Sequence, residues 1–185
     1  MTLRRVLPIG AIFMVGLVVG ATIVQASHSW RCRGSVAYHW STTSVGLANP
    51  VQDGSIQRAS SAYTSAYSGA KTVWNATVMN LGSGNDVEQR YGAYGTNGWL
   101  GLATISNISN CVIGHGKAQL NDSYLRDTTR YSQTAVNHVA CQEVGHTFGL
   151  DHTRASGTCM NDRILTAGNQ INQHDHDQLA SIYGQ

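Results

Sequence analysis

The stretch Gln142-Glu143-Val144-Gly145-His146-Thr147-Phe148-Gly149-Leu150-Asp151-His152 constrains this chain more than any other. Positions 142 and 146 are four apart, so on a helix their side chains leave one face, one turn apart, close enough to share a metal ion. Glu143 lies beside them, within reach of a water at that point but poorly placed as a ligand. Gly149 lets the chain leave the helix sharply, which returns His152 toward the same point from another direction. The segment therefore requires a helix, a glycine-permitted exit and a body that holds both in register.

The first residues read as an address. Arg4 and Arg5 precede an apolar run from Val6 to Val24, and Val24-Gln25-Ala26 offers a cleavage site. We expect a signal peptide over 1–26 and a single domain over 27–185, secreted to the outside. A retained leader would instead anchor the chain in a membrane. Only 12% of residues are charged and the net charge is +2, with no basic cluster. Nucleic acid is thereby excluded as a partner. Behind an export signal, the four cysteines Cys32, Cys111, Cys141 and Cys159 suggest two disulfides, and three pairings are possible. Glycosylation sequons begin at Asn75, Asn107 and Asn121.

Alternation at Val36, Tyr38 and Trp40 predicts a strand near 35–42, followed by turns at Asn49-Pro50 and Asp53-Gly54. From Ile56 to Trp74 the apolar spacing is helical. Gly82-Ser83-Gly84-Asn85 breaks the pattern, and strands are expected over 87–94, 99–105 and 112–120. The helix bearing Gln142 should run from Thr134 to Leu150, burying Val136, Val139, Ala140 and Val144. A last helix should cover His174 to Tyr183. Trp40, Trp74 and Trp99 are assigned to the core. The order of elements predicts an α+β domain, a mixed sheet with helices packed on it.

The 142–152 segment resembles the signature H-E-x-x-H-x-x-G-x-x-H of the metzincin clan of zinc endopeptidases, with Gln142 in the place of the first histidine. It is most similar to the matrixin-type branch. Cys159-Met160, a short loop after His152, is similar to the Met-turn of that clan. The tail from Asp175 to Gly184 resembles the closing helix of matrixin catalytic domains. Lys117-Ala118-Gln119-Leu120-Asn121 is similar to the edge strand on which substrate is held as an added strand.

The resemblance implies a zincin-type twisted mixed sheet with a long helix, an active-site helix and a C-terminal helix. It implies zinc as cofactor, with His146 and His152 as ligands, Gln142 at the first ligand position, Glu143 as general base and Met160 as the Met-turn residue. The expected activity is that of a monomeric metalloendopeptidase, with a protein or peptide substrate along the edge strand. Gln142 is the departure: a neutral amide oxygen suits zinc less well than imidazole. The competing reading is a catalytically silent binding module with a degraded metal site.

Other residues could replace the missing ligand. His138 lies two turns, about 11 Å, from His146 along the helix and cannot share its metal. His115, on the expected edge strand, could point inward. Cys159 could supply a thiolate, whereas Cys141 points about 100° away from Gln142 around the helix. The favoured pairing is Cys141–Cys159, tying the Met-turn to the active helix, with Cys32–Cys111 as the second bridge.

Overall fold

The computed structural model describes residues 28–163 and 165–184; the expected leader over 1–26 lies outside them. A two-stranded ribbon of β1 (Arg31–Arg33) and β2 (Val36–Ala37) precedes the main sheet. That sheet is built from β3 (Ser44–Leu47), β4 (Val51–Asp53), β5 (Asn80–Ser83), β6 (Val87–Gly92), β7 (Gly101–Ser106) and β8 (His115–Asn121). The helices are α1 (Ser60–Trp74), the short α2 (Asp122–Leu125), α3 (Gln133–His146) and α4 (Gln173–Tyr183).

Strand order is β5-β3-β6-β8-β7, and β4 continues the line of β3 alongside β6. Every pairing in this sheet is parallel except β7 with β8, so the antiparallel strand β7 forms one edge. The register pairs Tyr91 with Leu120 and Leu120 with Gly101, and alternation then assigns each residue to a face. Val87, Gln89, Tyr91, Ala118 and Leu120 share the buried face. The other face is polar: Arg90 pairs with Glu88 and Asp53 at 3.0 Å each, and His115 with Glu88 at 3.2 Å.

Helices α1 and α3 cover the buried face. Tyr63 of α1 stacks on Tyr91 at 4.9 Å, and the Tyr67 hydroxyl is 2.8 Å from the carbonyls of both Arg90 and Ala118. Trp74, at the end of α1, donates its indole N–H to the Cys141 carbonyl of α3. Gly145 makes this approach possible, since a Cβ there would stand 2.5 Å from the Trp74 ring and 2.7 Å from the Met160 sulfur. Helix α3 starts at Ser132, whose side chain accepts from the Ala135 amide, and α4 starts in a capping box of Asn172 and Asp175.

The structure corrects several expectations. Helix α3 ends at His146, not Leu150; Thr147, Phe148 and Gly149 close the turn through amide bonds to the carbonyls three residues back. Ile56 precedes α1 rather than belonging to it. The expected 35–42 strand is only the short β2, with the sheet beginning at Ser44, and β5 occupies the segment read as a break. Segment 117–121 belongs to β8, which has neighbours on both sides, so it is not the edge strand; β7 is. Asn121 is fully buried, its side chain bonded to Gly95, Asn97 and Trp99, which leaves no room for a glycan there.

Candidate metal centre

The expected site residues converge. Gln142, Glu143 and His146 are buried on α3, and His152 returns from the turn beyond it. The two imidazole Nε2 atoms stand 3.0 Å apart. Gly149 makes this return at φ +89°, and a Cβ there would stand 2.0 Å from the Tyr38 carbonyl oxygen, so only glycine fits. The Nδ1 atom of His146 is 2.8 Å from the Leu150 carbonyl. A carbonyl has no proton to give, so Nδ1 carries the hydrogen and Nε2 is left with a bare lone pair. This fixed tautomer is the one a metal-binding histidine adopts.

Gln142 is held differently. Its amide nitrogen donates to the Cys159 carbonyl at 3.0 Å, which leaves the amide oxygen as the only donor atom it can offer. Cys159 is itself bonded to Cys141, and Cys32 to Cys111, in agreement with the favoured pairing. Cys159 therefore has no thiolate to give a metal. His115 is also eliminated, since it faces Glu88 on the polar side of the sheet. His138 is buried and bonded through Nε2 to the Asn161 carbonyl at 3.0 Å. Met160 is fully buried under the site, against Gly145.

Glu143 is wedged between α3 and the edge strand. A Cβ on Gly101 would stand 2.6 Å from its Oε1, so glycine permits the contact. Burial raises the carboxyl to about 8, against a hydrogen bond with the Ala103 backbone that pulls it down. Burial likewise lowers His146 to about 4, opposed by the Leu150 carbonyl and reinforced by His152. All four residues line one cavity of about 400 Å³.

The same cavity contains residues that sequence reasoning missed. Trp30 stacks almost parallel on His146, with centroids 5.1 Å apart and planes 7° apart. Its backbone N–H donates to the Gly149 carbonyl and its carbonyl accepts from Tyr38, so the indole is fixed against the turn. Trp99 lines the cavity too and packs on Tyr94, which corrects its assignment to the core; Trp40 and Trp74 are core residues as expected. Arg163 and Leu165 complete the wall opposite β7. No local spacing announced Trp30, because its contact is made across more than a hundred residues.

His146, its tautomer fixed by the Leu150 carbonyl, and His152 bring two imidazole Nε2 atoms to one point. Among the described residues no group of three or more His, Cys, Asp or Glu could hold a metal. Gln142 stands at the position of the first histidine of the signature, with its amide oxygen uncommitted by the bond to Cys159. The family model described as Matrixin matches residues 29–184, and the chain belongs to the matrixin family of zinc metalloendopeptidases. No curated protein matches the chain at a significant level.

Proposed function

We propose that this chain is a secreted, zinc-dependent endopeptidase in which His146, His152 and the Gln142 amide oxygen hold the metal. The observation that carries the reading is the convergence of His146 and His152 beside Glu143 in a cavity bordered by a free strand edge. Zinc bound there would supply a Lewis acid that activates water. Glu143 would take a proton from a water in the cavity as the water oxygen bonds to the peptide carbonyl carbon, and would give that proton to the amine as the C–N bond breaks. Strand β7 offers its outer backbone groups to an extended peptide, which would add as a further strand and place a carbonyl over the cavity. Trp99, Leu102, Val139 and Leu165 give that cavity an apolar lining. All four cysteines are paired, which fits an oxidising compartment outside the cell.

That the described residues hold no group of three or more His, Cys, Asp or Glu able to bind a metal favours a second reading, a binding module of the same fold that no longer cuts. Elemental analysis of the purified protein after dialysis against metal-free buffer separates the two. About one zinc per chain, with chelator-sensitive cleavage of casein, is the expected result. A folded protein that retains no zinc and stays inert when zinc is added would establish the binding module instead.

A further inference from the structure

A cavity of about 590 Å³ lies apart from the one that holds Glu143. It lies between residues 29–43 and α4, and its volume falls within the range of small-molecule sites, about 300–1,000 Å³. Its thirteen lining residues include no Asp, Glu, Lys or Arg. The lining therefore offers a charged ligand no carboxylate, ammonium or guanidinium as a counter-charge. Seven of the thirteen carry hydroxyls, and those of Ser35, Ser41 and Thr43 can both donate and accept, while that of Tyr183 is committed to Trp40 and Phe148. Apolar surface from Val36, Trp40 and Ile182 is interspersed among them. Hydroxyls of both hydrogen-bonding senses next to small apolar faces match the surface of a sugar ring, which alternates O–H and C–H groups.

The wall is set rigidly. The Trp40 indole N–H donates to the Thr147 carbonyl at 2.9 Å, and the Trp40 backbone N–H donates to the Tyr183 hydroxyl at 3.2 Å. That hydroxyl in turn donates to the Phe148 carbonyl at 2.9 Å. Both acceptors lie in the turn that carries the chain from His146 to His152. Ser29 lines this cavity while its neighbour Trp30 lines the other, so one stretch of backbone separates the two.

From these observations we propose that the cavity between residues 29–43 and α4 is a second binding site, for a neutral saccharide. The proposal does not depend on the peptidase reading, because it concerns binding alone. Contact with Trp40 and Tyr183 would restrain the turn at residues 147–149 from behind.

The test is calorimetric titration of the full mature protein with maltotriose, cellotriose and chitotriose, with inorganic phosphate and glutamate as charged probes. At least one trisaccharide should bind saturably, with Kd on the order of 1 mM or tighter. Exchange of the backbone amides of Thr147, Phe148 and Gly149 should slow when it does. Ser41→Trp, at an exposed wall position, and Val36→Glu, which brings a carboxylate to the rim, should each weaken binding about tenfold or more at unchanged Tm. Absence of saturable binding by all three sugars would overturn the proposal. Binding that both variants leave intact, or that phosphate or glutamate matches, would overturn it as well.

Discussion

The Gln142 amide nitrogen donates to the carbonyl of Cys159, the residue whose sulfur is bonded to Cys141, the neighbour of Gln142 on α3. The unusual residue is thus tied into the segment under the site. One end of its amide is committed, which leaves the oxygen as the atom it can offer in the cavity it shares with His146 and His152. Replacing Gln142 by alanine should weaken zinc binding about tenfold or more, an effect of ~1.4 kcal/mol. Gln142→His should tighten it, since imidazole is the better zinc donor. Competition with a chromophoric chelator measures both. Equal affinities in all three proteins would remove Gln142 from the ligand set.

Glu143 is the only carboxylate lining the cavity beside the two imidazoles apart from Asp162 in the opposite wall. Glu143→Gln keeps its shape and removes its basicity. Loss of a general base lowers kcat by about 10²–10⁴. Stability should hold or rise, because a buried carboxyl is exchanged for a neutral amide. Zinc content should be unchanged. Peptide hydrolysis at the wild-type rate would exclude Glu143 as the base.

Trp30 covers one face of His146, and its backbone bonds to Gly149 and Tyr38 do not involve its side chain. Trp30→Ala therefore removes the stack and leaves the strand pairing in place. A half-buried aromatic pair of this kind contributes about 0.5–1.5 kcal/mol beyond its area. The denaturant midpoint should drop accordingly, and Trp30→Phe should recover most of it. If Trp30→Ala unfolds at the same denaturant concentration as wild type, the stack does not stabilise the site.

The local part of this architecture was legible in the sequence, and the non-local part was not. Helix α1 shows its buried face as periodic apolar residues, whereas α3 is buried nearly all round and α4 buries Asp175 and Gln178 beside Leu179; Gly149 marks the exit from α3 because nothing else fits its backbone. Residues 142–152 form a short chain segment, so their convergence follows from spacing alone. By contrast β3 and β5 are four residues each and contain Gly46 and Gly82, too short and too poor in branched residues to signal strands. Segment 117–121 was misread as the edge because a strand's neighbours depend on topology, which alternation does not encode. Trp30 and Gly101 reach the site from distant segments, and only folding brings them there.

The Cys141–Cys159 bond closes a loop with a sequence separation of 18. Loops of this size restrict the unfolded chain enough to stabilise the fold by about 3 kcal/mol. The double variant Cys141→Ser/Cys159→Ser should lose stability of that order by equilibrium denaturation. It should also bind zinc more weakly, because Cys159 no longer anchors the carbonyl that holds Gln142. Intact zinc affinity in a less stable but folded variant would show that the disulfide serves the fold alone.

His138 gives the metal-free protein a built-in sensitivity to acid. Its ring is fully buried in α3, Nε2 faces the Asn161 carbonyl, and Nδ1 has no protein partner. Protonation would put a charge and a new N–H into a place with no acceptor, so burial lowers its pKa below the ordinary value, although the Asn161 carbonyl pulls the other way. In the unfolded chain the same ring titrates near about 6.5. Between that value and the lowered folded pKa, the unfolded state binds more protons than the folded one. The His138 contribution to stability therefore falls as pH drops below about 6.5, by at most ~1.4 kcal/mol per pH unit. His28, also lowered chiefly by burial, and His146, lowered to about 4, act with the same sign, whereas Glu143, raised to about 8, acts with the opposite sign over the same range. In the chelated protein, His138→Gln should raise the Tm at pH 5 relative to that at pH 7, compared with wild type. A His138→Gln protein with the full wild-type pH dependence would place the acid sensitivity elsewhere.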